Sequence, residues 1–449
     1  MINFIFLAIY LAVLIGIGVW SHLNSTPDTY LIADRKAGAL RLGFSISAGF
    51  FDSFILVAYT GYVYVYGWPA VSLFMGTAIG FALFFAFARK IQSEGVANQY
   101  YGISDYFQHR YGRVSEIIVS SINIIFYVSL LLIQFIFGST VLSEITGWHY
   151  NVSILLVGST ILLYVGLGGL RSVLNTDVFQ WILIGVILLF LVPVLLRSEV
   201  HTLLKHADFQ KGSGDALGFL IIGAMAVFAS PELWQRCYAG RDLKSVRGGL
   251  LIAGLTFPVI GVLLAAIGFF AYSNYPGIDP QTALVQVFKG IFTGVFGGLG
   301  LVLLLSAIMS TADTCLFVIA PTVVLNIFNI TDQNKRKIAT TISVVVAAAI
   351  AVVIGMLTQD ILSIALALAS LSLAFFPILF IGLITKLSVR TVNLSLSLGI
   401  IAVLGLICFG EITPVTSVVS LPVVLISVVI GVVWNKLKRK KISKSSQRI

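Results

Sequence analysis

Between Leu303 and Ala320 the chain reads LLLSAIMSTADTCLFVIA. The stretch is apolar enough for lipid, yet it carries Ser306, Ser310, Thr311, Asp313 and Thr314. Positions 306, 310, 313 and 314 follow the i, i+4, i+7, i+8 spacing of one helix face, with Thr311 beside them. A single Ser or Thr in a membrane helix ordinarily bonds back to the carbonyl four residues earlier. Four hydroxyls and a carboxylate within nine residues make a stripe of oxygen ligands instead. Hard cations take oxygen, and calcium wants about six to eight such ligands with several carboxylates. One or two carboxylates among neutral hydroxyls and carbonyls suit a monovalent ion that must bind and leave.

Three further carboxylates lie in or beside apolar runs: Asp52 in SISAGFFDSFILVAY, Asp177 in GGLRSVLNTDVFQW and Glu232 in AVFASPELWQRCY. A charge at mid-bilayer costs about 2.5–3.5 kcal/mol on insertion scales, which makes each a functional candidate. Each also has a plain structural reading. Asp52 suits an N-cap, Asp177 a helix N-terminal carboxylate, and Glu232 an interfacial ion pair with Arg236. Backbone carbonyls become available to an ion where a membrane helix is interrupted beside protein or a watery cavity. Gly49 and Asp52 interrupt one apolar run, and Pro231, which lacks an N–H, interrupts another.

Those positions need a frame of helices. The chain has 449 residues, is 58% hydrophobic and 10% charged, and has a mean hydropathy of +1.03. Soluble chains carry about 25% charged residues, so the composition is that of a polytopic all-α membrane protein. With spans of about 20 apolar residues, thirteen are predicted: 3–21, 43–66, 68–90, 115–141, 151–167, 175–197, 215–235, 248–272, 285–328, 337–358, 361–384, 392–410 and 414–434. The ninth is too long for one span and leaves room for an amphipathic piece near 286–293. The two interrupted spans, second and seventh, stand five apart, as two inverted five-helix repeats require. The predicted division is a leading helix and loop (1–42), two repeats (43–200 and 201–390), two trailing helices (391–435) and a basic tail (436–449).

Twenty-four of the 28 Lys and Arg residues fall on one side of this arrangement. Arg197, Lys205, Lys211 and Lys289 fall on the other. The positive-inside rule then sets the N-terminus outside and the C-terminus in the cytoplasm. The first span has no basic leader and no small-residue cleavage site, so it reads as a retained helix. The net charge of +10 is thus explained by topology rather than by nucleic acid. Cys237, Cys315 and Cys408 lie far apart with no disulfide or metal spacing. The five histidines all fall in polar connections. No nucleophile triad or metal motif points to an enzyme.

The segments DTYLIADRKAG, SISAGFFDS, GGLRSVLNTDVFQ, SPELWQRCYAGRD and SAIMSTADT, in this order along the chain, resemble the sodium:solute symporter family. That family includes the proline permease, the sodium/galactose cotransporter and bacterial sialic acid transporters. The resemblance covers nearly the whole chain and implies a LeuT-like fold of two inverted repeats with broken helices. It also implies a sodium site of carbonyls from Phe50, Ser53 and Ala307 with hydroxyls from Ser310 and Thr311. A second sodium site would draw on Asp177, Ser310, Asp313 and Thr314; Asp313 stands where the sialic acid transporters have serine.

The solute positions depart from the family. Those polar in its sugar carriers are Val57, Leu130 and Gly223 here, and the sugar carrier's aromatic gate falls at Ala226. The proline carrier's aromatics fall at Leu56, Gly223 and Val227. Polar or aromatic candidates are Asp52, Tyr59, Thr60, Ser72, Ser129, Gln134 and Phe228. So few polar groups fit a small or partly apolar organic solute. The expected function is sodium-coupled symport by alternating access in the cytoplasmic membrane. The alternatives are a proton-coupled carrier on the same fold and a membrane solute sensor without transport.

Overall fold

Lipid offers backbone groups no partner, so apolar runs close their hydrogen bonds internally as helices. The computed structural model describes residues 9–10, 12–13, 16, 35–51, 54–165, 176–182, 185, 213–291, 296–330 and 332–446. In chain order these form α1 (Ala39–Phe50), a π-helical turn Phe54–Tyr59, α2 (Thr60–Tyr66), α3 (Trp68–Ala97) and α4 (Ile103–Tyr111). Next come α5 (Arg113–Thr146), α6 (Tyr150–Val165), a helical segment at 176–182, α7 (Ser213–Ala229), α8 (Pro231–Ala239) and α9 (Leu243–Asn274). They are followed by α10 (Ala283–Ile291), α11 (Phe296–Pro321) with a π-helical continuation Thr322–Ile327, and α12 (Gln333–Leu357). Last are α13 (Ile361–Ile384), α14 (Val389–Phe409) and α15 (Ser420–Ser446).

Polar caps mark where these helices start. Asp242, Asp332, Asp360 and Ser388 precede α9, α12, α13 and α14, and each side chain accepts the N–H three residues on. The Ser245 N–H holds the Asp242 carboxyl below the ordinary carboxylate range.

Among the described residues, eight helices are long and apolar enough to cross a membrane, and two bent pairs bring the number to ten. The predicted first span and most of the sixth lie outside the described residues. The long ninth run is divided, as its length implied. Its first part is the separate amphipathic helix α10, and α11 carries the span. The second and seventh spans are the two bent pairs. α1 and the following turn of helix meet at 57°, across residues that include Asp52 and Ser53, which are outside the described set. α7 and α8 meet at 40°, where Ser230 caps α8 and Pro231 opens it.

α7 lies along α3, and the two cross on glycines. A Cβ on Gly223 would stand 2.0 Å from the Leu73 carbonyl oxygen, and one on Gly76 would stand 2.1 Å from that of Leu220. Small residues let membrane helices approach this closely. Gly223→Val should therefore force the helices apart and cost about 1–3 kcal/mol, the usual range for overpacking. Thermal unfolding of the purified protein reads this directly, and an unchanged melting temperature would contradict the crossing.

Candidate functional site

α1 packs against α11 in the buried interior, and Ser45 of α1 and Ser310 of α11 both donate to Asp177. α1 stops because Phe51 leaves helical geometry, at φ −92° and ψ 63°. A helix end leaves its last carbonyls without intrahelical donors, and Phe50 carries one of them. On α11, Ala307, Ser310 and Thr311 are wholly buried. Their hydroxyls behave differently from the rest of the stripe. Ser306 Oγ donates to the Val302 carbonyl at 2.7 Å, and Thr314 Oγ1 donates to that of Ser310 at 3.0 Å. These are the back-bonds a membrane helix normally makes. Thr311 makes none: its Oγ1 has no hydrogen-bond partner among the described residues. Ser310 Oγ donates instead to Asp177 Oδ1 at 2.7 Å. A hydroxyl that gives its proton sideways keeps its lone pairs for a cation.

Asp177 is fully buried at the start of the 176–182 segment. Its Oδ2 accepts from Ser45 Oγ at 2.7 Å and from Arg236 at 3.5 Å. Arg236, 3% exposed, reaches four elements. Its Nε donates to Ser45 on α1 at 3.0 Å, and one terminal nitrogen donates to Glu232 on α8 at 3.3 Å. The other donates to Asp177 and, at 3.3 Å, to Thr314 on α11. The pair that the sequence reading set at the interface is thus buried and extended by a second carboxylate. Asp313 is buried as well, but the partners of Asp177 are Ser45, Ser310 and Arg236.

Beside this network lies a cavity of about 100 Å³. Its wall is mostly apolar and includes Phe50, Leu130, Gly223, Ala226, Val227 and Phe257. Thr77, Ser230, Glu232 and Ser372 supply its polar groups. The named solute candidates are placed elsewhere. Tyr59 donates to the Gly261 carbonyl at 3.3 Å, Thr60 to that of Leu56 at 2.6 Å, and Ser72 to that of Ala216 at 2.6 Å. Phe228 is enclosed by Phe84, Phe87, Trp234, Phe376 and Phe380. Gln134 is buried and Ser129 half-buried, and neither lines this cavity. Gly223 lines it because its helix crosses α3 there. Asp52 and Ser53 lie outside the described residues.

Sequence reasoning did not single out Ser45, Thr77, Ser230 and Ser372, whose hydroxyls carry no helical spacing that would set them apart from ordinary packing residues. It also missed a polar cluster on the basic side. Asn326 donates to Asp105 at 3.0 Å and to Glu116 at 2.9 Å, joining the end of α11's span to α4 and α5. Arg113 holds Glu116 at 2.8 Å and the Ile327 carbonyl at 2.8 Å. The i, i+3 spacing of Arg113 and Glu116 was the available signal. A small hollow lined by Ser104, Asn123, Gln235 and Asn326 lies behind it. Asn326→Ala should loosen the contact of α11's span with α4 and α5 and raise the labelling rate of a Ser104→Cys thiol by a methanethiosulfonate reagent about tenfold, the effect of about 1.4 kcal/mol on a local opening equilibrium. Equal labelling rates would show that the cluster does not hold these elements together.

The model of the sodium:solute symporter family matches residues 30–391. The chain is 23% identical over 425 residues to sodium/proline symporter 2 of Staphylococcus saprophyticus, covering 87% of this chain and 82% of that protein. It is 22% identical over 481 residues to the sodium/proline symporter of Staphylococcus aureus, covering 98% and 93%. Among solved structures it resembles a substrate-bound, outward-open Na+-coupled sialic acid symporter, with a TM-score of 0.81, 17% identity, and coverage of 96% and 97%. It also resembles a nucleobase-cation-symport-1 family transporter in a closed conformation, with a TM-score of 0.64, 14% identity, and coverage of 91% and 95%. At these identities the solved structures show a common fold.

Proposed function

The chain belongs to the sodium:solute symporter family, and from that we propose that it carries sodium and a small, partly apolar organic solute together across the cytoplasmic membrane by alternating access. It is an integral membrane transporter and not an enzyme. Sodium is held by the carbonyls of Phe50, Ser53 and Ala307 and the hydroxyls of Ser310 and Thr311. The observation that carries this reading is the buried Thr311 hydroxyl, which forgoes its helix carbonyl and finds no other partner among the described residues. A buried hydroxyl left unpaired costs about 1–3 kcal/mol, and an ion ligated there removes the cost.

Phe50 also lines the cavity. A sodium ion that fixes the end of α1 therefore fixes one wall of the solute site. That shared residue is a physical route for coupling, because the ion favours the state in which the wall is formed. The basic side faces the cytoplasm. One charge moving inward through about 100 mV then releases about 2.3 kcal/mol. A wall with few polar groups leaves the hydroxyls of a polyol unpaired, which disfavours sugars. The sodium/proline symporters among the relatives make proline a sensible member of a first solute panel.

The test is uptake of labelled small solutes into proteoliposomes under an inward sodium gradient. Accumulation that collapses in potassium supports the proposal. Accumulation driven by a pH step without sodium favours proton coupling, and solute binding without accumulation favours a sensor.

A further inference from the structure

The proposed sodium site accounts for Ser310 and Thr311 and leaves the buried cluster of Asp177, Ser45, Thr314 and Arg236 without a role. Oxygen ligands from α1, α11 and the 176–182 segment converge there on one point, and that point is taken. The Arg236 guanidinium donates to Ser45 at 3.0 Å, to Thr314 at 3.3 Å and to Asp177 at 3.5 Å. It is wedged against the end of α1: a Cβ on Gly49 would stand 2.6 Å from one of its nitrogens. The other oxygen of Asp177 is engaged by Ser310 at 2.7 Å. Both Asp177 oxygens are thus engaged, and the point shared by Oδ2, Ser45 and Thr314 is held by the guanidinium. Arginine stays charged under all ordinary conditions, and its planar fork suits several oxygens at once.

We propose that Arg236 is a built-in cation that permanently fills what would otherwise be a second sodium site, so that the chain binds one sodium ion. A mobile sodium ion at the same place would face a positive charge a few ångströms away in a poorly screening interior, where like charges repel strongly. Asp177 then acts on the first site indirectly. By accepting the Ser310 hydrogen bond it turns that hydroxyl's lone pairs toward sodium, as outer groups orient ligands in other ion sites.

This inference rests on the proposed sodium symport, and ion counting separates the two. Radioactive sodium bound to the purified, detergent-solubilised chain is measured to saturation by scintillation proximity. The wild type is expected to bind one ion per chain. Arg236→Gln, which vacates the point between two carboxylates, should bind two, and Arg236→Lys, which keeps a tethered charge, should bind one. Asp177→Asn preserves an acceptor for Ser310 and should also bind one. Two ions on the wild type would overturn the inference and leave sodium symport standing. So would one ion on a folded Arg236→Gln variant. Loss of the single ion in Asp177→Asn would place it at the carboxylate and overturn the assignment. No ion on the folded wild type would remove the sodium site itself. Should Arg236→Gln fail to fold, the wild-type count and the Asp177→Asn result still decide.

Discussion

Thr311→Val should melt at a higher temperature than the wild type in sodium-free buffer, and sodium should then raise it no further. The two shapes are nearly the same, so the variant differs chiefly in the hydroxyl. That hydroxyl is buried and lacks a hydrogen-bond partner among the described residues. Its removal relieves a desolvation cost of about 1–3 kcal/mol. In the wild type, an ion that binds only the folded state stabilises it by RT ln(1 + [L]/Kd), about 2.7 kcal/mol at a hundred times Kd. The variant loses that ligand and so the response. Ser310→Ala should behave differently, because Ser310 donates to the Asp177 carboxylate at 2.7 Å. Hydrogen bonds to charged groups contribute about 1.5–3 kcal/mol, so this variant should melt lower even without sodium. The measurement is thermal unfolding in sodium, potassium and choline chloride. A Thr311→Val protein that still responds to sodium would rule this threonine out as a ligand.

Replacing Arg236 by Met should destabilise the protein by about 3–5 kcal/mol in potassium, the range for removing one partner of a buried ion pair. Two carboxylates lose their cation together, since Arg236 bonds both Glu232 and Asp177. Adding Asp177→Asn and Glu232→Gln should restore most of the loss, because neutral amides need no counter-charge. The double-mutant logic isolates the coupling between residues that act as one unit. Sodium should recover part of the stability of the Arg236→Met single variant and none of that of the triple. A single variant within about 1 kcal/mol of the wild type would mean that water reaches and solvates these carboxylates.

Much of the frame was legible in the sequence. Hydropathy and charge distribution gave a helical membrane protein, and the described spans follow the predicted runs. Gly49, Asp52 and Pro231 marked the second and seventh spans as broken, and the bends at 57° and 40° lie there. The length of the ninth run left room for a separate piece near 286–293, and a helix occupies Ala283–Ile291. On α11 the hydroxyl stripe stood out because polar groups are rare in such a run.

What meets the stripe was not legible. Ser310 bonds a residue 133 positions away, and Arg236 bonds residues 59, 78 and 191 positions away. No local pattern encodes those distances. The wall of the cavity was read only as a set of apolar positions, and the hydroxyls that line it were missed. In a water-soluble helix the polar face points outward and identifies the buried one. In a membrane helix the lipid-facing and protein-facing sides are equally apolar, so periodicity cannot say which residues turn inward. The sequence by itself determined that a hydroxyl stripe and broken helices exist and where along the chain they sit. Only the tertiary structure decided that Ser310 donates to Asp177, that a guanidinium stands among the neighbouring oxygens, and that the Thr311 hydroxyl has no partner among the described residues.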